Sequence, residues 1–184
     1  APIKDVKTMI YAFFELHERL PKVRLHIMGG VDDEEYGAEC HALVETLGVR
    51  DLIFTGRVNV VEYMEKLDFT ILTSISEGQP LSVLESLAAR RPCVTTEVGC
   101  CRELLEGAPG DDFGVAGFVT PPMYRKGLAD AMERMCTSRA RRIEMGERGQ
   151  RRVATYFLHE QMLANYRALY DETARAFNLP REGE

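Results

Sequence analysis

No apolar run in this 184-residue chain approaches the roughly 20 residues that a membrane-spanning helix requires, so no span is expected. The five cysteines, Cys40, Cys93, Cys100, Cys101 and Cys136, are odd in number and contain no Cys-x-x-Cys, so they make no disulfide framework. Reduced thiols in a cytoplasmic protein are the expectation. His17, His26, His41 and His159 are scattered and have no zinc-ligand spacing, so no metal is expected. No Ser-His-Asp or Cys-His arrangement can be argued from the order of these residues. Positive charge is in deficit: 23 Lys and Arg stand against 29 Asp and Glu, a net charge of −6. That balance argues against a general nucleic-acid binder, because phosphate contacts favour basic surfaces. Internal repeats, low-complexity segments and a flexible interdomain linker are also missing. Ala1-Pro2-Ile3-Lys4-Asp5 leads straight into an amphipathic pattern and does not read as a signal peptide.

What is there suits a globular domain: 45% of residues are hydrophobic and 28% charged. The length allows one well-buried domain with room for an appendage. Hydrophobic spacing predicts a helix over 6–20, ended by Pro21, and a strand over 23–28 closed by Gly29-Gly30. An acidic loop at 32–35 opens a helix to Leu47, which Gly48 stops. A strand over 52–55, a short helix over 60–66 and a strand over 69–73 follow. Further on come a helix to Arg90, a strand over 93–97, a helix over 99–106 and a strand over 117–120. Three helices, 125–136, 139–156 and 158–177, finish the pattern, with a frayed tail expected over 180–184.

Strands alternating with helices over short connections predict an α/β fold, a Rossmann-like parallel sheet of five strands flanked by helices, with a helical C-terminus. The expected division is a Rossmann-like domain over 1–157 and a C-terminal helix and tail over 158–184. A domain of this order normally opens on a strand, yet here a helix comes first. Either the domain starts on a helix, or the chain is a fragment cut just after its first strand.

Ligands bind parallel sheets at the carboxyl ends of the strands. That expectation gathers Gly29-Gly30, Gly56-Arg57 and residues 76–82 on one rim. The stretch Ser76-Glu77-Gly78-Gln79-Pro80-Leu81-Ser82-Val83-Leu84-Glu85 is the most informative. Pro80 suits the first position of a helix. The unpaired amides of that helix start, with its partial positive charge, suit a phosphate. Gly78 allows close backbone approach. A helical rotation of about 100° per residue sets Glu85 between Leu81 and Ala88, on the arc of Leu84, where a carboxylate needs a polar partner. Vicinal ribose hydroxyls would serve. So would a nearby arginine, with Glu77 merely favouring the helix dipole; spacing alone leaves these even.

Glu-x7-Glu after a strand resembles the donor-site motif of retaining GT-B glycosyltransferases (glycosyltransferase family 4, group 1). Leu25-His26-Ile27-Met28-Gly29-Gly30, Ile53-Phe54-Thr55-Gly56-Arg57-Val58, and Arg91-Pro92-Cys93-Val94-Thr95-Thr96-Glu97-Val98-Gly99 are similar to further family stretches in the same order. Arg102-Glu103-Leu104 and Gly117-Phe118-Val119 extend the likeness over nearly the whole chain. Pro2-Ile3-Lys4-Asp5-Val6-Lys7-Thr8 and Val98-Gly99-Cys100-Cys101-Arg102-Glu103-Leu104 look closest to the Pel-type exopolysaccharide branch. Arg91 replaces the family's usual glycine, and Gly78-Gln79-Pro80 is a variant of its loop.

The resemblance implies the C-terminal, donor-binding half of an enzyme that moves a sugar from a nucleotide diphosphate, by the Pel-type likeness a UDP-sugar, to a glycan-type acceptor in polysaccharide synthesis. Lys4 matches the lysine on the donor diphosphate, although spacing alone reads it as a solvated helix-start lysine. Glu77 matches the catalytic-site glutamate near the transferred sugar. The backbone of Gly78, Gln79, Pro80, Leu81 and Ser82 matches the stretch that meets sugar hydroxyls and phosphate. Glu85 matches the ribose-binding glutamate. Arg57 and Val58 lie where the base docks; Arg57 capping strand-end carbonyls is an equal alternative. No cofactor is implied beyond the nucleotide-sugar substrate. The acceptor domain and a phosphate-binding arginine of the first strand's loop would belong to a missing N-terminal half, and the fragment alone is expected to be inactive. The alternatives are a non-catalytic nucleotide-sugar-binding module and half of a GT-B-like epimerase or phosphorylase. The arginines over 139–152 allow peripheral contact with the inner membrane face, but a solvated face with intrahelical ion pairs accounts for them more simply. Asp111-Asp112 could bind a cation, but a solvated loop accounts for the pair more simply.

Overall fold

A computed structural model describes residues 1–177. In chain order, a 3₁₀ turn (Pro2–Lys4) precedes α1 (Val6–Arg19), β1 (Leu25–Met28), α2 (Glu34–Leu47), β2 (Leu52–Gly56) and α3 (Val60–Met64). Then come β3 (Thr70–Leu72), α4 (Leu81–Ala88), β4 (Cys93–Thr96), α5 (Cys101–Glu106) and β5 (Gly117–Thr120). The chain continues through α6 (Arg125–Cys136), α7 (Arg139–Tyr156) and α8 (His159–Phe177). Each expected strand and helix is present, with ends shifted by a residue or two. The frayed tail expected over 180–184 lies outside the described residues.

Local chemistry sets several of these ends. The Asp5 carboxylate accepts from Thr8 N–H at 3.3 Å and starts α1. Asp33 does the same for α2 through Tyr36 N–H at 2.9 Å. Gly48, at φ 62°, closes α2 in the left-handed region that glycine tolerates best.

The sheet corrects one expectation. All strand pairs are parallel, but the five strands form two hydrogen-bonded groups, β2-β1 and β3-β4-β5. Between β1 and β3 lies a cavity of about 1090 Å³, lined by both strands. Alternation of strands and helices sets strand direction but not which edges meet; here the facing edges of β1 and β3 stand apart.

Side-chain alternation divides the core into two clusters. On one face of β3-β4-β5, Ile71, Val94 and Phe118 pack with Phe13 and Leu16 of α1 and with Leu128, Met132 and Met135 of α6. On the other face, Leu72, Cys93 and Val119 pack with Val83 and Leu87 of α4 and Leu104 and Leu105 of α5. All four residues of β4 are buried, as a strand covered on both faces should be.

The basic helix α7 is not simply a solvated face. Arg148 does make an i,i+4 pair with Glu144. Arg142 donates to the Met135 and Cys136 carbonyls at the end of α6. Arg152 is 1% exposed, and its guanidinium forms a two-bonded pair with Asp111 at 2.5 and 3.1 Å. It also donates to the carbonyls of Leu104, Leu105 and Gly114. Asp111 is therefore the anchor of a buried ion pair and not a solvated loop residue. That bond, ahead of the opposing effect of burial, holds its carboxyl below the usual carboxylate range. By contrast α8 buries none of its residues, and its Met162, Leu163, Tyr166, Leu169 and Tyr170 are exposed. No helix among the described residues is long and apolar enough to cross a membrane.

Candidate functional site

The site is built at the carboxyl end of β3. The Thr73 hydroxyl donates to the Lys4 carbonyl at 2.8 Å, and Ile75 N–H donates to the Ile3 carbonyl at 2.8 Å. These bonds hold the Pro2–Lys4 turn against the strand end. As a result the Lys4 ammonium reaches Glu77, 73 residues away in sequence, at 2.7 Å. The Ser74 hydroxyl donates to the same Glu77 oxygen at 2.7 Å. The Glu77 side chain is 14% exposed and that of Lys4 51%. Burial pushes the Glu77 carboxyl up, but the hydrogen bonds from Lys4 and Ser74 and the ammonium charge outweigh it. The net position is below the ordinary glutamate value.

Behind this loop stands the turn between β4 and α5. The Thr96 hydroxyl donates to the Ser74 carbonyl at 2.6 Å, and Cys100 N–H donates to the Gly78 carbonyl at 2.9 Å. Gly99, at φ 51°, lies so close that a Cβ there would overlap the Gly78 and Glu77 carbonyl oxygens. Thr73, Ser74, Thr96 and Gly99 are thus structural members of the site that residue patterns did not single out. Gly99 carried a signal, since it sits at the end of a stretch already quoted for its family likeness. Thr96 lies in the same stretch, but Thr73 and Ser74 carried no signal, because their partners become visible only when β3 and the N-terminal turn are brought together.

Pro80 is the residue before α4 and not its first helical position. Its ψ of 113° is extended, and its carbonyl accepts from Val83 N–H at 3.1 Å. No side chain caps the helix, so the Leu81 and Ser82 amides at the start of α4 have no hydrogen-bond partner among the described residues. Gly78, Gln79 and Leu81 are all exposed or partly exposed along the same loop.

Glu85 requires a second correction. The buried arc of α4 is Val83, Ser86 and Leu87, while Leu81 is 68% exposed. Glu85 is exposed, one turn beyond Leu81 on the same open side. The rotational argument assumed that Leu81 was buried, and the assumed desolvation of Glu85 goes with it. Among the described residues no arginine pairs with Glu85.

Arg57 and Val58 sit across the cavity, just beyond β2. Gly29 N–H donates to the Gly56 carbonyl at 2.9 Å, which joins the ends of β1 and β2. Arg57 is exposed and lies against Gly30, where a Cβ would come 3.2 Å from its Nε. It makes no hydrogen bond to a strand-end carbonyl among the described residues. Of the rim that topology predicts, Gly29, Gly30, Gly56 and Ser82 border the cavity, together with Lys4 and Thr73. Glu77, Glu85 and Arg57 stand outside its wall.

A family model, Glycosyl transferases group 1, matches residues 1–138. The chain belongs to this family. Among curated relatives in it, N-acetyl-alpha-D-glucosaminyl L-malate synthase of Bacillus anthracis is 26% identical over 175 residues, covering 94% of this chain and 43% of that protein. The O-antigen biosynthesis glycosyltransferase WbnH of Escherichia coli is 35% identical over 88 residues, 47% of this chain and 24% of its own. The chain thus spans less than half the length of either. Sucrose-phosphate synthase from Thermosynechococcus elongatus superposes with a TM-score of 0.82 at 21% identity, over 96% of this chain and 44% of that one. The C-terminal domain of a group 1 glycosyl transferase, LpcC from Francisella tularensis, gives 0.74 at 20% identity, over 86% and 82%. Anabaena Alr3699/HepE, in complex with UDP and glucose, gives 0.77 at 22% identity, over 91% and 45%. At these identities the likeness concerns the fold, which is that of a GT-B C-terminal domain with a helical C-terminus.

Proposed function

We propose that this chain is the donor-binding half of a retaining glycosyltransferase that uses a nucleotide diphosphate sugar. The observation that carries the reading is the convergence of Lys4 and Ser74 on one oxygen of Glu77, beside the open amides of α4. A diphosphate seated on the Leu81 and Ser82 amides meets the positive end of the α4 dipole and lies within reach of the Lys4 ammonium. The amides are held in place by α4 before the substrate arrives. They stabilise the charge that develops on the departing nucleoside diphosphate as the glycosidic bond forms. When Lys4 turns to phosphate, Glu77 keeps its Ser74 bond and presents its other oxygen to the donor sugar. Glu85, exposed on the same side of α4, is free to accept from ribose hydroxyls. Arg57 and Val58 offer a rim for the base.

The UDP complexes of Alr3699/HepE support a uridine donor. The O-antigen enzyme among the relatives supports a glycan acceptor and a role in polysaccharide synthesis. The Pel-type branch and hexosyl transfer fit the same reading. Acceptor recognition then belongs to an N-terminal domain outside this chain, and the parent works in the cytoplasm, in contact with the inner membrane face where its acceptor is carried. The isolated chain binds donor without turning it over.

Calorimetric titration with UDP, UDP-glucose and GDP-mannose tests this directly. UDP-sugars are expected to bind, and Lys4→Ala and Glu85→Ala each to weaken binding by about ten-fold, the loss of one charged hydrogen bond. Unchanged affinity in both variants would overturn the donor site, and sugar transfer by the isolated chain would overturn its assignment as a half-enzyme.

A further inference from the structure

Lys4 is joined to the rest of the fold through a single bent residue, Asp5. On one side of it, the Pro2–Lys4 turn is tied to the end of β3 by Thr73 and Ile75. The turn is also closed on itself, with Lys4 N–H donating to the Ala1 carbonyl at 3.1 Å. On the other side, the first turn of α1 is tied to α2. Lys7 N–H donates to the Tyr36 hydroxyl at 3.3 Å, and the Lys7 ammonium meets Glu39 at 2.6 Å. Asp5 takes up the change of direction between these two anchored pieces. Its φ of 45° and ψ of 49° lie in the left-handed region, which most L residues avoid and Asp and Asn tolerate.

Three hydrogen bonds hold Asp5 there. Its N–H donates to the Pro2 carbonyl at 2.9 Å, its carbonyl accepts from Met9 N–H at 3.4 Å, and its Oδ1 caps α1 through Thr8 N–H. The residue is 8% exposed, and Oδ2 is buried without a hydrogen-bond partner among the described residues. A buried carboxylate oxygen left unmet costs stability. The cap alone could be made by Ser or Thr without a charge, and the backbone angle alone by glycine. Only Asp or Asn meets both demands. A residue held in a sparsely populated conformation at such a cost directs attention to what it positions. Its neighbour is Lys4. A right-handed residue at this joint would run the turn on into α1 and swing the Lys4 side chain away from the end of β3.

We propose that Asp5 is a positioning residue whose left-handed, capped conformation aims the Lys4 ammonium at Glu77 and, through that aim, at the donor diphosphate. The second half of the proposal rests on the donor site described above, and the first half does not.

Two measurements on the 184-residue chain separate the halves. The first follows the Glu77 carboxyl by carbon NMR as pH is lowered. Against the upward push of burial, Lys4 and Ser74 hold that carboxyl below the ordinary glutamate range. Asp5→Ala, which loses the cap and the left-handed tolerance, should move the Glu77 titration upward as Lys4→Ala does. Asp5→Ser keeps the cap, and with it the start of α1, but not the left-handed tolerance, and should move Glu77 the same way. Asp5→Asn keeps both and should leave Glu77 in place. Ser138→Ala removes the cap of the distant α7 and should also leave it in place, whatever stability it loses. The second measurement is calorimetry with UDP and with uridine. Asp5→Ala should weaken UDP about ten-fold, as loss of one charged hydrogen bond does, and leave uridine unchanged. In a Lys4→Ala background it should weaken UDP no further, because the two changes remove one interaction. Glu77 unmoved in both Asp5→Ala and Asp5→Ser, or moved equally by Asp5→Asn or Ser138→Ala, overturns the proposal. So do affinity losses for Asp5→Ala and Lys4→Ala that simply add. A wild type that binds no UDP, with Glu77 moving as expected, overturns the donor site and leaves Asp5 as the residue that aims Lys4 at Glu77.

Discussion

The three-stranded and two-stranded parts of the sheet use similar apolar strands to very different effect. β4 is buried at every position, and each face of β3-β4-β5 has its own closed cluster. In β2 no residue is fully buried, and Ile53 is 45% exposed. Its partner strand contributes Leu25 and Ile27 to the core, but on the opposite face of β1 His26 Nδ1 shares a hydrogen bond with the Tyr63 hydroxyl of α3 at 2.6 Å. Strand character is thus a property of the neighbours as much as of the residues. The loop with Glu77 grows from the closed part, whose rigidity positions it, while Arg57 and Val58 stand on the open part.

The largest blow to that contrast is Arg152→Ala. Arg152 ties α7 to the end of α5 and to the 111–114 loop, all on the three-stranded side. Removing it leaves Asp111 buried with 3% of its side chain exposed and no counter-charge. Loss of one partner of a buried pair costs about 3–5 kcal/mol, read as a shift in the denaturant midpoint. The pair also sets a pH window. Asp111 has a lowered carboxyl in the folded state, so its contribution is complete above the unfolded value of about 3.9 and fades as pH falls through the folded value. Acid unfolding of the wild type should therefore steepen below about pH 4, and that component should vanish in Asp111→Asn.

Next in size is a matched pair of truncations. Leu87 is fully buried between β4 and α7, so Leu87→Ala should cost about 2–5 kcal/mol through lost transfer energy and a cavity. Ile53→Ala on the open strand should cost about 1 kcal/mol or less, because nearly half of the side chain already meets water. Equal costs in thermal melts would show that the two parts are one cooperative body with no difference in packing.

The same contrast explains what residue patterns could and could not show. Strand and helix existence followed from hydrophobic period and from punctuation by Pro21, Gly29, Gly48 and Pro92, because those are local effects. The parallel direction followed from βα alternation. The split of the sheet did not, since it depends on which edges meet. At the site, topology pointed to Gly29, Gly30, Gly56 and Ser82, which share one cavity, while Arg57 and Glu77 stand outside its lining. Glu85's exposure was misread because Leu81, apolar yet exposed, looked like part of the buried arc. Arg152 was hidden among six arginines over 139–152, five of which do not share its burial. Nothing local distinguishes the one that finds a buried aspartate 41 residues earlier.

The last contrast lies closest to the site. Gly99 and Gly56 both occupy the left-handed region, at φ 51° and 66°. Alanine at either position carries a conformational cost of about 1–2 kcal/mol. They differ in what surrounds them. Nothing lies within 4 Å of a Cβ built on Gly56, on the open part, whereas one built on Gly99 overlaps the Gly78 and Glu77 carbonyls. Gly56→Ala should therefore lose about that stability and leave the 76–82 loop in place. Gly99→Ala can relieve its overlap only by pushing the loop outward, which breaks the Cys100-to-Gly78 bond and moves Glu77 off Lys4 and Ser74. Its signature is a separation of readouts: a modest drop in melting temperature with a disproportionate loss of UDP-sugar affinity in calorimetry. If the two alanine variants lose affinity in step with stability, the β4–α5 turn is an ordinary packing element and does not position the loop.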